Sequence, residues 1–231
     1  MGVMRTPRQA RGEASLERLL DAAEELLVEQ GASALTTAAL SARSGLSNGS
    51  IYWRFSGRDA IVAAVHERLI ERLECALQAR LDDPRWRQLG FAEYVVQRVR
   101  AECEVTLANA ATLRAMVRIA AVDADASRRG AAAVRVAELR FVESLASRSG
   151  LIEDTVAQQA AAITFRFVHG AVLTRATWPQ QAAAQIETER FIDGLCCAAV
   201  AYLCPGGGGD RRAHMCEDQG HEHRQDQRDH S

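Results

Sequence analysis

The chain has 231 residues, 48% of them apolar, and a formal net charge of -2 at pH 7. That composition supports a sizeable core in one large or two small domains. It excludes a protein that coats nucleic acid through bulk positive charge, while leaving room for a local basic patch. No apolar run reaches spanning length, and MGVMRTPRQARGEAS has no apolar leader core, so a cytoplasmic chain without membrane contact is expected. Six cysteines scattered through a chain of this size are expected as reduced thiols.

Residues 1–14 carry Arg5, Arg8 and Arg11 ahead of the first acid, Glu13, and read as a flexible basic arm that could reach a minor groove. Leu16, Leu19, Leu20, Ala23, Leu26 and Leu27 then fall at helical spacing up to Gln30-Gly31, a first helix of about four turns. Thr36 is placed to cap a second, short helix, Gly45 to close it at positive φ, and Ser47 to cap a third helix, Asn48–Phe55. On that third helix Ile51 and Phe55 share one face. Gly49, Ser50 and Trp53 lie roughly opposite, with Tyr52 and Arg54 on the flanks. A helix that turns a glycine, a hydroxyl and a large aromatic outward suits close approach to another surface. Ser50 can bond base edges or phosphate, and Tyr52 and Arg54 carry donors suited to phosphate oxygens. A fourth helix follows from Arg58 to about Leu81, and its free first-turn amides also favour phosphate.

The run LLDAAEELLVEQGASALTTAALSARSGLSNGSIYWRFSGRDAI resembles the N-terminal DNA-binding domain of the tetracycline-repressor (TetR) family. The matching landmarks are Ala22-Ala23, Gly31, Thr36, Leu40, Gly45-Leu46-Ser47, Gly49, Ile51-Tyr52 and Phe55. The resemblance implies an all-α chain: a three-helix head with a helix-turn-helix (residues 15–57) on a larger helical body for effector binding and dimerisation (residues 58–204). Carried over position by position, it makes Thr36, Asn48, Ser50, Tyr52, Trp53 and Arg58 the DNA contacts. Ser47 and Arg54 complete the DNA-binding set read from the helix itself. The family often has Lys where this chain has Asn48, and His where it has Trp53 or Arg54, so base preference is where the chain should differ from its relatives. Arg58 replaces a common Lys, keeping the charge but changing its geometry.

Along the body, Asp82-Asp83-Pro84 is the first break. Helical periodicity resumes at Phe91, Tyr94, Val95 and Val99, and continues past a kink near Asn109 through Leu113, Met116 and Val117. Asp123–Gly130 reads as a polar break. Another helix, through Val134, Phe141 and Leu145, ends at Ser149-Gly150. The last two run from Thr155 to Trp178 and from about Ala184 to Cys204. Both are apolar over more than one stripe, more than a monomeric two-layer body can bury. In the family such helices meet their symmetry mates in a four-helix bundle, so a homodimer through 155–178 and 184–204 is expected. It would set two reading helices about one DNA turn apart or somewhat more, on a near-palindromic operator.

An effector site is expected between body helices. Its candidate lining is Trp86, Tyr94, Arg98, Cys103, Met116, Phe141, Arg166 and His169, which suits a mostly apolar small molecule with one polar anchor. Arg98, Arg166 and His169 each need a partner on an otherwise apolar helix, and Glu102, Glu138 and Glu143 are the expected carboxylates. Residues 205–231 read as a disordered tail behind the linker Gly206–Gly209. Four histidines (His214, His221, His223, His230) and Cys216 gather there without the spacing of a metal site, so no metal or other cofactor is expected. No nucleophile elbow, phosphate loop or zinc helix is present to suggest an enzyme. The expected function is a ligand-responsive transcriptional regulator, a repressor released from its operator by the effector. The alternative is an architectural DNA-binding protein without an effector.

Overall fold

The structure is a computed structural model and describes residues 7–149, 154–178 and 186–204. The described residues form helices joined by short turns. They are α1 (Pro7–Gln30), α2 (Thr37–Ser44), α3 (Asn48–Arg54), α4 (Arg58–Leu81), α5 (Phe91–Ala108), α6 (Ala110–Ala120), α7 (Ala124–Ser149), α8 (Thr155–Thr177) and α9 (Thr188–Leu203). Short 3-10 turns at Ala32–Ala34 and Pro84–Gln88 connect α1 to α2 and α4 to α5. None of these helices is long and apolar enough to cross a membrane.

Local chemistry sets most of the boundaries. Thr36 Oγ1 accepts from the amide of Ala39 (3.1 Å), and Ser47 Oγ from that of Ser50 (3.3 Å), so both expected N-caps form. Gly31 and Gly45 take φ of 83° and 70°, the left-handed turns that end α1 and α2. Asp154 caps α8 through the amides of Val156 and Ala157. Asn109 separates α5 from α6, where the kink was expected.

Two expectations are corrected. Residues 7–14, read as part of a flexible arm, are the first two turns of α1. Proline suits a first helical position, and Arg, Gln, Ala and Glu are strong helix formers. Asp123–Gly130, read as a break, is mostly the start of α7. The Asp123 carboxylate accepts from the amides of Asp125 (2.8 Å) and Ala126 (3.0 Å), and Ala126 is the buried anchor of an otherwise polar turn. The remainder of the arm (1–6), the expected start of the last helix at Ala184 and the tail 205–231 lie outside the described residues.

Two apolar cores organise the helices. The first holds Leu19, Ala23 and Leu27 of α1, Leu40, Ile51 of α3, Val62, Val65 and Leu69 of α4, and also Met116 and Ile119 of α6. The second holds Val95, Val99 and Cys103 of α5, Phe141 and Leu145 of α7, Phe165, Val168 and Val172 of α8, and Ile192 and Cys196 of α9. The expected boundary at residues 57 and 58 therefore does not separate the cores: α4 and α6 are packed with the head.

Glu24 clamps that arrangement. Its carboxylate on α1 accepts from Arg72 Nη2 (2.6 Å) and from Arg68 on α4, and from Thr112 Oγ1 on α6 (2.6 Å). Burial pushes the Glu24 carboxyl up, but the hydrogen bonds from Arg72, Thr112 and Arg68 outweigh it and hold the group below the usual carboxylate value.

Candidate nucleic-acid interface and effector cavity

On α3, Ile51 is buried at 2% exposure and Phe55 is half-buried against the first core, which fixes the helix and turns its opposite face outward. Trp53 is 82% exposed and Tyr52 66%, large aromatics that a monomer has no reason to leave in water. Asn48 and Gly49 are exposed beside them. A Cβ at Gly49 would meet nothing within 4 Å, so nothing inside the molecule requires glycine there. Thr37 Oγ1 donates to the Tyr52 hydroxyl (3.1 Å), holding that hydroxyl beside the start of α2. Thr37 was absent from the sequence reading; the ALTTAAL double threonine was its only signal.

Thr36 and Arg58 meet in an open concavity of about 490 Å3 with Ser56 and Gly57. Arg58 is more than half exposed and lies 3.6 Å from Asp59, too loose to commit its guanidinium. Arg54 differs from the expectation of a free phosphate donor. Its Nη1 donates to Ser50 Oγ (3.0 Å), its Nη2 to Gly12 O (3.3 Å), and its guanidinium lies 5.4 Å from the Trp53 ring centre. Arg54 thus ties α3 to α1 and braces Ser50 and Trp53. Ser47 is committed as the cap of α3, with its hydroxyl proton still free to donate.

A cavity of about 820 Å3 lies between α4, α5, α6, α7 and α8, within the size range of small-molecule sites. Val62, Leu69, Leu73 and Leu77 of α4 and Leu113, Met116 and Val117 of α6 form its apolar wall. Arg98, Glu102 and His169 supply a polar one. Arg98 is 1% exposed, donates to Glu102 Oε2 (2.9 Å) and lies 4.7 Å from the Phe141 ring centre. His169 stacks on Phe165 at 5.0 Å, and its Nδ1 is 3.8 Å from Glu102, an ion-pair rather than a hydrogen-bond distance. Burial pushes the Glu102 carboxyl up, but His169 and Arg98 outweigh it and hold it below the usual value.

Of the eight residues expected to line an effector site, Arg98, Met116 and His169 do so. The other five are elsewhere. Trp86 packs edge-on against Tyr94 at 5.7 Å, under Arg148. Cys103 and Phe141 are fully buried in the second core. Arg166 is exposed and pairs with Glu138 at 3.1 Å. The inward face of α4 was missed. Its signal was an apolar stripe at Val62, Leu69, Leu73 and Leu77 interrupted by His66 and Glu74.

Among the described residues, α8 and α9 leave one apolar face uncovered. Ile163 of α8, Trp178 just past its end and Tyr202 of α9 are exposed, with Phe167, Phe191 and Leu195 half-buried. Gly170, Gly194 and Ala198 lie on the same outward faces.

Comparison with known proteins agrees with this geometry. Residues 19–65 match the family described as bacterial regulatory proteins, tetR family. The chain is 36% identical over 56 residues to the HTH-type transcriptional regulator SrpR of Pseudomonas putida, a match covering 24% of this chain and 26% of that protein. The chain thus matches only about a quarter of the length of that curated relative. Among solved structures, a transcriptional regulator from Rhodococcus sp. Rha1 superposes with a TM-score of 0.60 at 17% identity, covering 82% of this chain and 96% of that one. The transcriptional regulator FadR from Bacillus subtilis, solved in complex with stearoyl-CoA, superposes at 0.61 with 11% identity, covering 81% and 98%. These likenesses extend the shared fold over head and body alike. Residues 19–65, which hold α2 and α3, are thus matched in sequence to the tetR family of bacterial regulatory proteins, and head and body together are matched in fold.

Proposed function

We propose that this protein is a ligand-responsive repressor. As a homodimer it reads a near-palindromic operator through α3, and it lets go when a small, mostly apolar effector fills the cavity. The observation that carries this reading is a shared wall: Val62, Leu69 and Met116 belong to the head's core and line the cavity at the same time. A close-packed core does not deform continuously, so an occupant that repositions α4 or α6 repositions α1–α3 with them. Effector and operator then weaken each other by the same factor.

Asn48 and Ser50 are the base-reading candidates. Thr36, Ser47, Tyr52 and Arg58 are the phosphate candidates, and Trp53 the candidate for apolar contact at the groove. The uncovered face of α8 and α9 supports a second copy of this chain as its partner, because its small residues let helix axes approach and its aromatic residues need cover. The stearoyl-CoA complex of the FadR neighbour supports an amphiphilic occupant in a body of this fold.

The test is a footprint on the DNA upstream of the protein's own coding sequence, followed by a compound screen for release. A protected pair of half-sites, lost when a compound that raises the thermal midpoint is added, is the expected result. Protection independent of sequence and insensitive to every stabilising compound would favour an architectural protein.

A further inference from the structure

We propose that the effector is a single-chain amphiphile whose anionic end binds Arg129 and His66, at the end of the cavity that faces the DNA-binding head. The proposal rests on the reading of this cavity as the effector site.

The shape comes first. The cavity follows α4 from Val62 to Leu81, about 28 Å at the helical rise per residue. A cavity of that length and of about 820 Å3 suits an elongated occupant laid along α4.

Charge then gives the cavity a direction. Arg98 is tied to Glu102, and Arg140 Nη1 lies 2.7 Å from Glu74 Oε1. Among the described residues, Arg129 is the cavity-lining arginine with no carboxylate partner, and its Nε is buried without a hydrogen-bond partner. His66, one turn beyond Val62, also lines this end. Burial and the neighbouring Arg129 charge outweigh the pull of Glu67 and disfavour a proton on His66, so Arg129 carries the charge of this end and His66 offers a neutral ring N–H. A guanidinium half-removed from water without a partner is costly, and a carboxylate or phosphate supplies that partner with charge-assisted hydrogen bonds. Arg129 also borders the cleft between head and body, opposite Gly31, Ala32 and Arg58. An anion that draws it into the cavity withdraws it from that cleft.

The test is calorimetric titration of the full-length protein with dodecanoate, dodecyl phosphate and dodecan-1-ol, each below its aggregation threshold. At least one anion is expected to bind roughly ten- to a hundredfold tighter than the alcohol, the range that hydrogen bonds to a charged group produce. Which of the two binds better identifies the head group. Arg129→Gln should remove that preference and leave alcohol binding unchanged, while Arg129→Lys should keep the larger part of it. Equal binding of anion and alcohol, an unchanged preference in Arg129→Gln, or no binding of any of the three overturns the proposal. Operator release is scored separately. An anion that binds through Arg129 and leaves the DNA complex intact would sink the effector reading and leave this site standing.

Discussion

The two cores of this molecule are built differently. The first is almost wholly aliphatic and is fastened at its edges by charge: Glu24 joins α1, α4 and α6, and Arg43 on α2 reaches Glu29 on α1 at 2.8 Å. The second is richer in aromatic residues and cysteine, with Phe141 and Phe165 packed at 5.7 Å. The cavity lies where they meet, apolar on the side of the first core and polar at Arg98, Glu102 and His169. Ion pairs also tie the helices of the second core, Arg100 of α5 to Glu189 of α9 and Arg166 of α8 to Glu138 of α7, so the two regions differ in the packing at their centres rather than in the charge at their edges.

The contrast can be broken by mutation. The largest effect is expected from Phe165→Ala, which empties the middle of the second core and should cost about 3–5 kcal/mol of stability. Chemical denaturation measures it, and the surviving folded fraction should bind DNA with the wild-type sequence preference. Next comes Glu24→Gln, which leaves Arg68 and Arg72 short of a shared carboxylate and should cost about 2 kcal/mol. Its pH dependence has a definite sign. Because the folded carboxyl sits below its ordinary value of 4.5, its contribution is fully present above that pH and is lost as pH falls through the folded value. The stability gap between wild type and variant should therefore close in acid, below about pH 4.5. A gap that stays constant down to the acid transition would show that Glu24 acts through packing alone.

A smaller effect is expected on the reading helix. Tyr52→Phe should weaken binding to all operator variants alike by about 1 kcal/mol, roughly fivefold. Substitutions at Asn48 should reorder the preferred sequences instead. A mobility-shift series on base-substituted operators separates the two. The smallest perturbation is chemical. Burial pushes the Cys103 thiol up to about 12 and the Cys196 thiol up to about 11, whereas Cys75 is exposed. A thiol reagent should modify Cys75 in the native protein and reach Cys103 and Cys196 only on unfolding.

The reading unit was legible in the sequence because its signals are local. A hydroxyl three residues before an amide, or a glycine just past a helix, means the same thing in a peptide as in a fold. The start of α7 was misread because a solvated helical face and a loop share a composition, and only the buried Ala126 distinguishes them. The cavity lining was mostly illegible for a related reason. Phe141 and Met116 both sit at helical spacing among apolar neighbours, and which one faces the cavity depends on how α7 and α6 are rotated against their partners. Arg98 and His169 were found because a charge on an apolar helix must be answered somewhere. Arg129 was passed over because it lies in the run read as a polar break, and His66 because it directly precedes Glu67 and Arg68.

The most direct test of the shared wall is a reciprocal titration. The compound that most raises the thermal midpoint is measured for its affinity with and without operator, and the operator for its affinity with and without a saturating concentration of that compound. Linkage makes the two ratios equal by any route, and a common wall requires them to be well above one. An operator affinity unchanged at saturation would show that Val62, Leu69 and Met116 carry nothing from the cavity to the head.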